Sequence, residues 1–224
     1  MPKIATDRPV WRRFEARFVD RAAAWVRAGG SAALVHPKSA RARATTAARV
    51  DMILATDDAG GITESGYWSI LSLEQRRWTR ITSGKGKGLA TARVQSHAIE
   101  AVLDWCERDS IYEGPVRRMR LDCLECGACC HDSNVILYDE DLERFREGGR
   151  PDLTKKPFVE RRNGKLRLRF VGGGACQHLD SRDLKCGIYA IRPFNCSVFP
   201  VASEACLAAR ESTRGWRDGA PSMS

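Results

Sequence analysis

The chain has 224 residues, 43% of them hydrophobic and 29% charged, which is enough apolar mass for a packed core and excludes a disordered tail. No stretch approaches the roughly 20 apolar residues of a membrane span, and residues 1–27 lack the apolar core of a signal peptide; both point to a cytoplasmic protein that does not engage a membrane. The net charge of +9 is lopsided, because residues 1–50 carry 11 Lys+Arg against 3 Asp+Glu.

In chain order, Trp11, Phe14, Phe18, Ala22 and Trp25 recur at helical intervals, with Arg12, Arg13, Arg17 and Arg21 between them. This predicts an amphipathic helix whose aromatics pack on the rest of the protein. Arg41-Ala42-Arg43-Ala44 continues the basic bias as a second, polar helical patch. Clustered arginines attract phosphates without regard to sequence. Interleaved with a packed aromatic face, they favour solvated helix surfaces, or an acidic protein or peptide partner, over nucleic acid. Ser83-Gly84-Lys85-Gly86-Lys87-Gly88 lacks the spacing of a phosphate loop and reads as a mobile linker. A further helix is predicted over 89–107, with Val94, Ala98, Ala101, Val102 and Trp105 on one side. Cys106, alone in that stretch, reads as a core thiol.

The other eight cysteines all follow. Cys123, Cys126, Cys129 and Cys130 form the burst C-L-E-C-G-A-C-C; Cys176, Cys186, Cys196 and Cys206 come after it at even spacing. Two cysteines with two residues between them turn their sulfurs to one point over a tight turn, as in structural zinc sites and iron–sulfur sites. Gly127 falls where such a turn wants positive φ. Side chains of adjacent residues on an extended chain diverge, so Cys129 and Cys130 are expected to serve different metals, or one of them to bridge. Eight disulfide-bonded cysteines would suit a small secreted domain, which the missing signal peptide argues against.

Beyond the burst, residues 134–138 read as a strand. Asp139-Glu140-Asp141 opens a helix through Arg146 that Gly148, Gly149 and Pro151 close. Residues 165–171 alternate as a half-buried strand, and Gly172-Gly173-Gly174 ends it. Asp180-Ser181-Arg182-Asp183 reads as a hairpin tip that returns Cys176 and Cys186 to one edge. Pro193 forces Arg192 out of helical geometry and aims Cys196; Arg192 is a candidate donor to cluster sulfurs or to an anion. Tyr189 reads as a packing residue. His131 and His178 flank cysteines, but eight thiolates leave neither needed as a ligand.

The burst, then A-C-Q-H-L, C-G-I-Y-A-I-R-P-F-N-C-S-V-F-P and C-L-A-A-R, resemble the CxxCxxCC cysteine-cluster family of zinc- or iron-chelating domains over roughly residues 120–210. The resemblance places the family's cysteines on Cys123, Cys126, Cys129, Cys130, Cys176, Cys186 and Cys196, with Cys206 at a more variable last position. It implies a metal, and a flagellin lysine methylase among the relatives inclines the choice towards iron.

The resulting expectation is an α+β protein: a basic, mainly helical region over 1–115 and a small metal-stabilised cysteine-cluster domain over 116–224. Its function is metal binding through the eight thiolates, as an iron–sulfur cluster or iron in preference to zinc, which ligand type alone does not separate. The alternative is a metal-dependent redox or protein- or peptide-modifying enzyme. Against it, the chain has no Ser-His-Asp set, paired carboxylates or cofactor fingerprint.

Overall fold

The computed structural model of the protein describes residues 4–37, 47–131, 133–172 and 174–218; the predicted patch over 41–44 lies outside them. Two compact units emerge. The N-terminal unit is built on Ala5–Met119 with the segment Ala202–Leu207, the C-terminal unit on Arg120–Val201 and Ala208–Trp216.

The N-terminal unit is organised by a run of small and apolar residues that fits a fully buried strand. After β1 (Ile4–Pro9) and β2 (Trp11–Glu15), a single turn and α1 (Val19–Arg27) lead to β3 (Ser31–Pro37), whose first five residues are all buried. β2 and β3 run parallel, joined through α1, and β4 (Ala47–Leu54) pairs antiparallel with β3. α2 (Glu64–Ser72), β5 (Thr79–Arg80), β6 (Ala90–Arg93), α3 (Ile99–Arg108) and β7 (Val116–Leu121) follow. The five-stranded sheet has the order β2-β3-β4-β6-β5, and β1 pairs with β7. One sheet face puts Ala33, Val35, Val50 and Met52 in a core with Ile70 of α2 and Val102 of α3; the other packs Ala32, Leu34 and Ile53 against Ala22, Ala23 and Val26 of α1. Covered on both faces, β3 has no need to alternate.

This corrects the mainly helical N-terminal region: it is strand-rich. The spacing of three between Trp11 and Phe14 is satisfied by opposite faces of a strand. Trp11 is buried against Trp105, ring centroids 5.2 Å apart, while Phe14 packs with the α1 cluster. The helix begins only at Val19. Over 89–107 the first residues form β6, with Ala90 and Ala92 buried, and the helix starts at Ile99. The expected linker over 83–88 is a turn joining β5 to β6, closed by Gly88 N donating to Ile81 O and Ile81 N to Leu89 O, both at 2.8 Å.

The C-terminal unit has a smaller core of Val135, Leu137, Phe145, Leu153, Val159, Leu168, Cys176 and Ile188. Its elements are α4 (Cys123–Cys126), a turn at Ala128–Cys130, α5 (Asp139–Glu147), the hairpin β8 (Val159–Arg162) and β9 (Lys165–Leu168), and α6 (Phe194–Ser197); α7 spans Glu204–Arg214. The predicted helix after Tyr138 is α5. The predicted strand over 134–138 makes a single bridge, Ile136 to Arg167, and the strand from Lys165 ends at Leu168, after which Phe170 bridges to Cys176.

Candidate metal centre

The first two cysteines are set by a local device. Asp122 caps α4, its carboxylate accepting from Leu124 N at 2.9 Å, and Gly127 closes it with φ +56° and its N–H on Cys123 O at 3.3 Å. A Cβ on Gly127 would come within 3.0 Å of Leu184 O, so both conformation and space demand glycine there. The chain then tightens into the 3-10 turn carrying Cys129 and Cys130. The vicinal pair is therefore not extended, and its thiols do not diverge. Cys130 hydrogen-bonds to the Cys129 sulfur and holds that thiol down to about 7, while the same bond, burial and neighbouring thiols push Cys130 up.

The later cysteines are brought back by backbone pairing. Cys176 N donates to Cys130 O at 2.7 Å. The tip over 180–183 is the predicted hairpin: Leu179 bridges to Cys186, and Asp180 N donates to Lys185 O at 2.9 Å. Arg192 is extended at ψ 148°, and Pro193 caps the short α6 that carries Cys196.

Electrostatics report the proximity of these sulfurs. Burial raises Cys123, and Cys129 and Cys126 raise it further. Burial also raises Cys176, with Cys186 adding to it, and raises Cys186, with Cys129 adding to it. Cys196 is pushed up to about 12 by burial and then by Cys176, Cys129 and Cys186. Seven cysteines thus form one neighbourhood in which Cys129 is felt by four others. Cys206 lies at the start of α7, in the segment grouped with the N-terminal unit, where its N–H takes Ser203 Oγ at 3.2 Å. Cys106 is buried in the N-terminal core, and burial raises its thiol.

Guanidinium groups border the sulfurs. Arg210 Nη1 donates to Cys126 Sγ at 3.0 Å, and Arg214 Nε to Cys126 O at 3.0 Å. Arg192 lies 4.0 Å over the Tyr189 ring and donates to Tyr189 O, and its charge lowers Cys123, Cys186 and Cys196. The Nε2 atoms of His131 and His178 are buried without a hydrogen-bond partner among the described residues. Burial lowers His178, favouring its neutral form.

Thiol-rich donors with bordering cations fit a thiophilic metal or cluster in kind. Among the described residues, however, no three Cys, His, Asp or Glu side chains converge as a finished ion site.

Comparison with known families now bears on the same segment. A family described as "CxxCxxCC: Putative zinc- or iron-chelating domain" matches residues 122–218. A protein of Acinetobacter calcoaceticus named "Putative ferredoxin" is 32% identical over 92 residues, 40% of this chain and 71% of that protein. The chain belongs to this zinc- or iron-chelating family. No solved structure matches it.

Two residues that support the cysteine-cluster motif, Asp141 and Arg210, carry no local signal of that role in the sequence. Asp141, fully buried on α5, accepts from Phe194 N at 2.7 Å, from Tyr138 N at 3.0 Å and from Arg144 Nη1 at 3.2 Å; Arg144 also donates to Arg192 O at 3.1 Å. Together they fix the Arg192-Pro193-Phe194 segment that aims Cys196. Read along the chain, Asp141 looked like one of three first-turn acids. Arg210 sits one helical turn after Cys206, a spacing that gave no hint of its contact with Cys126.

Proposed function

We propose that the C-terminal unit of this chelating-family protein holds iron, as an iron–sulfur cluster, through the thiolates of Cys123, Cys126, Cys129, Cys130, Cys176, Cys186 and Cys196; Cys206, expected from the sequence as an eighth ligand, belongs to the segment grouped with the N-terminal unit and is left out of the set. The observation that carries the reading is the backbone pairing that returns Cys176 to Cys130 and, through the hairpin after it, Cys186 to the same edge; the family match and the relative named as a ferredoxin support it. Such a cluster supplies one-electron transfer. The chain's own part is to gather thiolates and offset their charge. The Cys130 hydrogen bond keeps Cys129 ready to ionise, Arg210 donates to the Cys126 sulfur, and Arg192 places a cation beside three thiols. Hydrogen bonds to sulfur and nearby charge are among the levers that set reduction potential. The reading extends to electron transfer or redox modification of a protein substrate, in a reducing cytoplasm that keeps thiols free.

Anaerobic purification of the full chain, with elemental analysis and an absorption spectrum, tests this. The expected product is brown, with broad absorption near roughly 400 nm from thiolate-bound iron. Cys126→Ser should lower the iron content, and Cys106→Ser should leave it unchanged. Colourless protein with stoichiometric zinc would refute the iron reading.

A further inference from the structure

A second site lies in the N-terminal unit, apart from any cysteine. α2 ends with Glu74 N on Leu71 O and Gln75 N on Ile70 O, and Glu74 takes the left-handed φ of +56° usually given to glycine. This steers the following residues to β5, which pairs with β6 only at Thr79–Thr91 and Arg80–Ala90. Beyond that short ladder, between the 74–79 segment and the edge of β6, runs a groove of about 890 Å3.

The groove has a distinct chemistry. Arg49, Arg76, Arg77 and Arg93 line it with Trp78, against two carboxylates, Asp51 and Glu74. Asp51 is engaged by Arg49 at 2.6 Å, His36 at 2.9 Å and Arg93 at 3.7 Å. Arg76 and Arg77 have no ion pair among the described residues. At its floor Gln75 is only 5% exposed; its Nε2 donates to Arg93 O at 3.3 Å, and its Oε1 has no partner among the described residues. Four guanidinium groups against two carboxylates leave the lining net positive, so its occupant must bring negative charge.

We propose that this groove binds an acidic peptide segment of a partner protein. Its carboxylates would meet the exposed Arg76 and Arg77, with its backbone lying beside the edge of β6 beyond the short β5 ladder, in the manner of a chain added beside an open sheet edge. The lining disfavours nucleic acid, because Asp51 and Glu74 oppose a continuous run of phosphates. The proposal is independent of the metal centre.

Fluorescence anisotropy on the intact chain tests it, using a fluorescein-labelled peptide of alternating glutamate and valine. A peptide with lysine for glutamate and a single-stranded oligothymidylate serve as competing probes. The glutamate peptide should bind saturably and the lysine peptide should not. Arg76→Glu with Arg77→Glu, both exposed and checked for folding by circular dichroism, should weaken binding about tenfold or more. Arg17→Glu, outside the groove, should leave it unchanged. No saturable binding of the glutamate peptide, equal binding by the doubly reversed variant, or preferential binding of the oligothymidylate lost in that variant would each overturn the proposal.

Discussion

Asp141 is a fully buried carboxylate satisfied by two backbone N–H groups and one guanidinium. Replacing it with alanine strands those donors in the interior, at a cost of about 3 kcal/mol. The expected outcome is a lower denaturant midpoint for the C-terminal unit together with reduced metal content, because the segment carrying Cys196 loses its anchor. Unchanged metal content and midpoint would show that Pro193 positions Cys196 unaided. Gly127 is the contrasting case at this scale: its positive φ was legible, since a glycine directly after the second cysteine of a knuckle has a local reason. Asp141 was not, because its decisive partner is 53 residues away.

Among elements, β1, α3 and the 202–207 segment of the N-terminal unit are tied by buried charge. Arg8 pairs with Asp109 at 2.9 Å and also with Glu204; Arg108 pairs with Asp109 at 3.0 Å and Glu204 at 2.8 Å; all four residues are at most 5% exposed. Burial alone would raise the Asp109 carboxyl, but Arg8 and Arg108 hold it below its ordinary value. A carboxyl lowered by folding contributes stability above its unfolded value, roughly 3.9, and that contribution is lost as pH falls through the folded value. Denaturant titrations across pH should therefore show the N-terminal unit losing stability below about pH 4. Asp109→Asn should cost about 3–5 kcal/mol at neutral pH and flatten the acid limb. An acid limb as steep in the variant would place the titrating group elsewhere. No spacing in the sequence foretold this network, which joins residues up to 196 apart.

At the scale of the whole molecule, the two units differ in what holds them. The N-terminal unit buries apolar side chains on both faces of a five-stranded sheet. The C-terminal unit buries fewer, and Cys130, Cys186 and Cys196 pack against that small core. Where metal closes such a core, its binding free energy is folding free energy. Chelation should therefore open the C-terminal unit to proteolysis while the N-terminal sheet and helices persist by circular dichroism. A C-terminal unit equally resistant after verified metal removal would count against metal as its organiser. Among the described residues no helix is long and apolar enough to cross a membrane. Part of the basic surplus near the N-terminus rests on aromatic rings, with Arg12 4.1 Å over Trp25 and Arg21 4.9 Å over Phe18.

The amino-acid order by itself determined the thiol inventory, the tight turn at Gly127, the hairpin between Cys176 and Cys186 and the extent of α5, because each depends on residues within a few positions of one another. Only the tertiary structure decided that residues 11–15 form a strand, that Ala90–Arg93 pair with β4 and β5, and that Cys129 and Cys130 turn towards each other. It alone brought Arg210 to Cys126 across 84 positions. The physical reason is that spacings of three and four satisfy a helix face and also two opposite faces of a strand. Contacts with distant partners, Trp105 for Trp11 and Val26 for the buried β3, break that tie.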